Sequence, residues 1–136
     1  MLYELIKQGF GEDEDFNCAE KIFYGANKVY SLGLDKSTLK LSAGFGGGMG
    51  IESVCGALTA SIMVLSYMFV NEKAHESTKI KDLSKELLDR YEQEMGNIEC
   101  KPLKDAHRTE EIKCKNVILA AAKILDEIII REKIQN

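Results

Sequence analysis

Ser53-Val54-Cys55-Gly56-Ala57-Leu58-Thr59-Ala60-Ser61-Ile62-Met63-Val64-Leu65-Ser66-Tyr67-Met68-Phe69-Val70-Asn71 carries no charge, and the fold turns on whether it spans a membrane or forms a buried helix. Ile62 to Leu65 and Met68 to Val70 are strongly apolar. Cys55-Gly56, Thr59, Ser61 and Ser66 dilute the run, however, and no basic cluster flanks it, which argues against a span. A central core helix is expected, opening near Ser53 as a cap and closing near Asn71.

Helical periodicity continues on both sides. Ile80, Leu83, Leu87, Tyr91 and Met95 recur at spacings of three and four and predict a helix ending at Gly96. A last helix is expected from about Thr109, with Glu110 and Glu111 in its first turn, where the dipole favours acids. It should bury Ile112, Val117, Ile118, Ala121, Leu125, Ile128 and Ile129. Upstream, Leu2, Leu5 and Ile6 suggest a short helix ended by Gly9. Asn17-Cys18-Ala19-Glu20 fits a capping box opening a helix that buries Ile22, Phe23, Ala26, Val29 and Tyr30 and stops at Gly33. A brief helical turn follows from Lys36 to Ala43. No run alternates strictly and no Asn-Gly or Asp-Gly turn joins two β-branched runs, so strand signals are lacking. The expected fold is all-α: a single-domain bundle of five to six helices, four of them main, over residues 1–136.

Composition narrows the function classes. The 136 residues are 45% hydrophobic and 29% charged, too apolar for disorder. A net charge of −4 gives no basic surface for nucleic acid or anionic lipid. A lysine and then Glu12-Asp13-Glu14-Asp15 interrupt the opening residues too early for a secretion signal. A cytoplasmic location is therefore expected, where thiols stay reduced. There the four cysteines imply metal binding, redox chemistry or plain burial.

Cys18, Cys55, Cys100 and Cys114 form no CxxC pair and no zinc-finger spacing. Helix geometry is more informative. The uncharged helix and its successor have matching lengths, about 27 and 30 Å. A short link from Glu72 to Glu76 makes them antiparallel. The chain thus returns to the Cys55 end just before Cys100, and the last helix leaves from that end carrying Cys114 about one turn in. Cys18 joins them if its helix runs parallel to the uncharged one. Cys18 and Cys55 would then sit in first helical turns, where free N–H groups and the macrodipole favour a thiolate. Lys101, Lys113 and Lys115 act in the same direction, and the acidic run before Cys18 opposes them.

Five of the eleven glycines lie between Ser42 and Gly50. The register of G-x-G-x-x-G fails and no P-loop lysine follows. Gly46, Gly47 and Gly48 instead offer positive φ and close approach beside the thiols, with N–H groups able to face sulfur or a cofactor. His107, between Cys100 and Cys114, is an additional ligand candidate. His75 and the paired acids read as solvent-facing. No Ser-His-Asp or Cys-His-Asn arrangement is present.

Taken together, Cys18-Ala19-Glu20, Ala43 to Gly50, Cys55-Gly56-Ala57-Leu58-Thr59-Ala60, Cys100 with Leu103, and Cys114 resemble the C_GCAxxG_C_C family of small helical redox-active proteins. The likeness runs from about Asn17 to Leu125. Where the family pattern ends its central motif in glycine, this chain has Ala60. The resemblance implies a redox role resting on the cysteines and a functional link to a transporter, since members are often encoded beside transporter genes. A similar four-cysteine domain accompanies split-Soret cytochromes, where an iron–sulfur centre has been proposed.

The leading expectation is an electron-transfer site with all four cysteines as ligands of an iron–sulfur cluster or another thiolate-bound metal. The first alternative is a metal-free thiol–disulfide couple with Cys55 as the attacking thiolate. The second is a structural module with zinc or core cysteines that serves a partner subunit. The sequence names neither the redox partner nor a substrate that would make the protein an oxidoreductase rather than a carrier. Its alanine- and isoleucine-rich faces are compatible with a homodimer.

Overall fold

Residues 1–135 are described by a computed structural model, in which they form seven α-helices: α1 Leu2–Lys7, α2 Cys18–Val29, α3 Lys36–Leu39, α4 Gly56–Phe69, α5 Lys79–Met95, α6 Cys100–His107 and α7 Lys115–Gln135. The four long ones, α2, α4, α5 and α7, make the bundle. Among the described residues the only β-type pairings are two isolated bridges, Val54 with Glu99 and Thr109 with Lys113.

The uncharged run is the central helix. α4 packs against α2, α5 and α7, and Ala57, Leu58, Ala60, Val64 and Leu65 on it are fully buried. Its lack of charge follows from having partners on three sides. At fourteen residues α4 is about 21 Å long, and no helix among the described residues is long and apolar enough to cross a membrane. Ile22 and Ala26 of α2, Leu87 and Tyr91 of α5, and Leu125, Ile128 and Ile129 of α7 close the core around it.

Local chemistry sets the ends. Asn17 caps α2: its side chain accepts from the Glu20 N–H and the Glu20 carboxylate accepts from the Asn17 N–H, both at 2.9 Å. α5 stops where Gly96 turns left-handed, at φ 87°. α1 is held by its own start, because Asp126 on α7 accepts the N–H groups of Leu2 and Tyr3.

Helix directions are read from end-to-end contacts. The Tyr67 hydroxyl near the end of α4 donates to the Leu32 carbonyl just past α2 at 3.0 Å, while Cys18 and Cys55 meet at the two starts. α2 and α4 are therefore parallel. Lys79, which opens α5, pairs with Glu132 near the end of α7, and Tyr91 reaches Val117 near the start of α7. α5 is thus the one antiparallel member, and α2, α4 and α7 all start at the same end.

Three expectations need correction. α4 opens at Cys55 rather than Ser53, because Ser53 and Val54 are extended and bonded to the segment before α6. The last helix begins at Lys115, not near Thr109, because Thr109 to Cys114 form a tight turn closed by the Lys113 N–H on the Thr109 carbonyl at 2.8 Å. In that turn Ile112 is 38% exposed instead of buried. The stretch between Gly96 and the last helix, expected as a connection, contains a helix of its own, α6.

Candidate functional site

Each cysteine sits where a helix starts. Cys18 is the first residue of α2 and Cys100 the first of α6. Cys55 is the N-terminal cap of α4, its carbonyl accepting from the Leu58 and Thr59 N–H groups. Cys114 directly precedes α7 and its carbonyl accepts from the Ile118 N–H at 3.0 Å. A short two-way clasp fixes the middle pair: the Cys55 N–H donates to the Ile98 carbonyl at 2.9 Å, and the Cys100 N–H to the Ser53 carbonyl at 2.6 Å. Neither α4 nor α6 has a side-chain cap. Their free N–H groups, with the positive ends of the helix dipoles, face the sulfur end of the bundle.

The glycine loop lies directly against these starts. Gly47, Gly48, Met49 and Gly50 are all left-handed, at φ 63°, 61°, 63° and 76°. A Cβ on Gly48 would come within 2.9 Å of the Cys100 Cβ, and one on Gly56 within 2.7 Å of the Cys18 sulfur. The backbone N–H of Gly47 faces that same sulfur. Gly46 packs on Asn17, whose amide donates to the Ala43 carbonyl at 3.0 Å. Met49 and Glu52 hold left-handed backbone without being glycine, which costs about 1 kcal/mol or more each.

The four thiols differ in acidity. Cys18 is drawn from 9.0 down to about 6, first by a hydrogen bond from the Cys55 thiol and then by the N–H groups of Gly47, Ala19 and Gly56, with burial opposing. Cys55 moves strongly upward because it is the donor to the Cys18 sulfur and is buried beside it. The shared hydrogen bond thus favours a pair that carries one proton between its two sulfurs. Burial pushes Cys100 up against the pull of Lys104. It also pushes Cys114 up, against Arg108, Lys104 and Lys21.

All four cysteines border one cavity of about 250 Å³. Leu103, Val117 and Ile118 supply its apolar wall, and Lys21, Lys104, Arg108, Lys113 and Lys115 the rest of its charge. No carboxylate is among the lining residues.

The sequence reading found Lys113 and Lys115 but missed the other three. Lys21 lies three residues after Cys18, and Lys104 four after Cys100, so each shares a helix face with its cysteine. Reading α6 as a helix would have found Lys104 and, one turn on, Arg108. Lys101 instead points away to Asp105. His107 faces the Met95 carbonyl at 3.3 Å and does not border the cavity. The acidic run Glu12 to Asp15 is exposed, and the acidity of Cys18 is set by hydrogen bonds to its sulfur against burial.

Among the described residues no three His, Cys, Asp or Glu side chains come together closely enough to hold an ion. The sulfurs surround a space but are not gathered on one point, and this arrangement does not match a ready-made thiolate cage. What it can do chemically is keep one thiolate at neutral pH with a protonated thiol in contact.

No curated protein and no solved structure matches the chain. A family model does: the one described as "Putative redox-active protein (C_GCAxxG_C_C)" matches residues 16–128, a stretch that contains all four helix-start cysteines and the glycine loop, and the chain belongs to that family.

Proposed function

We propose that the protein is a thiol–disulfide redox protein working with Cys18 and Cys55, in a reducing, cytoplasmic setting. The observation that carries this reading is the contact between an acidified sulfur and a thiol that retains its proton, at the starts of two parallel helices. The Cys18 thiolate attacks a disulfide R–S–S–R′. The S–S bond breaks, a Cys18–S–S–R bond forms, and R′–S⁻ leaves. Cys55 then gives its proton to the medium or to the departing sulfur and attacks the Cys18 sulfur, expelling the second half of the substrate. Two electrons pass to the substrate and a Cys18–Cys55 disulfide remains. The attacker is thus Cys18 in place of the Cys55 expected from its helix start and the glycines behind it, because Cys55 is the hydrogen-bond donor. Cys100 and Cys114 are supporting thiols at the cavity wall.

Mass spectrometry after equilibration in redox buffers of graded potential tests this. The expected result is loss of two hydrogens per chain in one two-electron step, with peptide mapping linking Cys18 to Cys55.

A thiolate-bound metal centre is the second reading, favoured by one fact: all four sulfurs border the same cavity. Purification without oxygen, followed by a visible spectrum and measurement of iron, sulfide and zinc, separates the two. Iron with stoichiometric sulfide overturns the dithiol reading, and zinc on all four sulfurs returns the cysteines to a structural role.

A further inference from the structure

The charge around the thiols is one-sided in a way that the rest of the molecule is not. The chain as a whole is acidic, at −4, yet five cationic side chains and no carboxylate line the cavity. Lys104 is partly neutralised by Glu52 at 3.2 Å and Lys115 by Glu12 at 4.0 Å. Among the described residues Lys21, Arg108 and Lys113 have no carboxylate within ion-pair distance. The uncapped starts of α4 and α6 add two positive dipole ends. One thiolate does not balance this excess.

From this we infer that the cavity takes a low-molecular-weight disulfide carrying carboxylates, its S–S bond at Cys18 and its negative ends on Lys21, Arg108 and Lys113. The inference rests on the dithiol reading above and adds the class of substrate. Three features carry it. The volume, about 250 Å³, lies near the lower end of small-molecule pockets and suits a small ligand rather than a folded one. The apolar strip of Leu103, Val117 and Ile118 accommodates the methylene groups between sulfur and carboxylate. Arg108 presents a planar fork that matches a carboxylate. In balanced form, the Cys18 thiolate and Cys55 thiol together with one disulfide dianion give the Cys18–Cys55 disulfide and two carboxylate thiols. One of these leaves as thiolate and the other carries the Cys55 proton.

The test compares three aliphatic disulfides at pH 7: 3,3′-dithiodipropionate, the neutral bis(2-hydroxyethyl) disulfide, and cystamine, which is cationic. The reduced full-length protein is the electron donor, and its oxidation is followed by mass. Each rate is divided by the rate of the same disulfide with dithiothreitol, which removes differences between leaving thiols. The expected order is dianion above neutral above cation. A ratio of about tenfold between the first two is expected from electrostatic attraction into a charged cleft, collapsing in 0.5 M salt. A Lys21→Gln, Arg108→Gln double variant lowers the dianion-to-neutral ratio as well. Equal normalised rates, or a faster cation, with a pair that still oxidises, overturn the substrate class alone. No oxidation by any of the three overturns the dithiol reading and the substrate class with it.

Discussion

Two ends of the same bundle treat charge in opposite ways. Around Asp126, twelve residues along α7 from Cys114, each charge has been given its complement. The Asp126 carboxylate accepts the N–H groups of Leu2 and Tyr3 at 3.1 and 2.9 Å and the Tyr30 hydroxyl. Nearby, Arg131 forks onto Glu86 at 2.7 and 2.8 Å, and Glu132 is held by Lys79 and Arg131. At the thiol end, α4 and α6 start without side-chain caps, cations outnumber carboxylates along the cavity, and Asp15, Met49, Glu52 and Lys113 hold left-handed backbone without being glycine, against Ser31 alone beyond the far end of α2. The paired end is arranged for stability. The thiol end keeps backbone strain and an unbalanced positive field, and a sulfur anion or an anionic ligand offsets that field. If this division is right, damage to one end should leave the properties of the other intact.

The sharpest way to break the comparison is Asp126→Ala. Three donors lose their acceptor in a setting where Leu2 is fully buried and Tyr30 nearly so. At about 1–3 kcal/mol for each buried unpaired group, partly recovered by water, the expected loss is about 4 kcal/mol, read from urea unfolding. α1 should loosen first, because its start is held by nothing else among these bonds. Alkylation of Cys18 in the folded fraction should keep its midpoint near pH 6. A midpoint that moves with Asp126 would mean that the two ends are one coupled unit.

Next in size is Gly48→Ala. The new methyl meets the Ser53 backbone N and O at 2.5 and 2.7 Å and the Cys100 Cβ at 2.9 Å, and must keep φ at 61°. A cost of about 3 kcal/mol follows from strain and from crowding against backbone. The thiol end should suffer with it, shown by altered alkylation of Cys18 and Cys100. The paired end should not: the hydrogen-exchange protection of the Leu2 and Tyr3 amides relative to global unfolding should stay as in the parent.

How much of this was legible in the sequence depends on range. The helices follow from local signals. The Asn17–Glu20 box, Gly96, and the apolar periodicity of Leu83, Leu87 and Tyr91 each act within one helix and can be read along the chain. The meeting of Cys55, Cys100 and Cys114 also followed from helix lengths and one short link, whereas Cys18 joined them only on the condition that its helix runs parallel to α4, which the contact between Tyr67 and Leu32 meets. The clasp between Ser53 to Cys55 and Ile98 to Cys100 was not legible, since it pairs backbone segments 45 residues apart and leaves no mark in residue type. It moves the start of α4 by two residues and turns Cys55 from a first-turn residue into a cap. The choice of the acidified thiol was hidden for the same reason. Helix position favours Cys18 and Cys55 alike, and only their mutual contact decides which one donates. Asp126 was likewise invisible as the cap of α1, because it lies more than 120 residues away.

Cys55→Ala asks whether that contact is what acidifies Cys18. The variant removes the first-ranking cause of the shift and leaves the N–H groups of Gly47, Ala19 and Gly56. The midpoint of Cys18 alkylation should rise from about 6 towards 9.0. At pH 6, a full return to the ordinary value would cut the thiolate fraction from half to about a thousandth, while the more basic thiolate reacts about 20 times faster. The net loss is about 25-fold, or about 2 kcal/mol, at pH 6 and about fivefold at pH 7. At pH 6, before the Cys18 linkage has developed, stability should change by only about 1 kcal/mol. An unchanged midpoint would assign the acidity to the loop N–H groups alone.

The smallest effect belongs to the paired end and concerns where each end titrates. Arg131, and then Arg90, hold the Glu86 carboxyl below its ordinary 4.5. The folded state therefore binds fewer protons than the unfolded chain just below that value. The resulting stability is present above pH 4.5 and is lost as pH falls through the lowered folded value. Cys18, depressed from 9.0 to about 6, has the same sign in another window: its contribution grows as pH rises from about 6 to 9. Glu86→Gln should remove only the acid window. Because both partners are a quarter to nearly half exposed, at 28% and 40%, the expected loss at pH 7 is about 0.5–1 kcal/mol. The difference from the parent should shrink in salt and vanish near pH 3, while the rise between pH 6 and 9 is retained. Urea midpoints across pH measure both windows in one series, and a Gln variant that also flattens the upper one would mean that the two ends share a charge network after all.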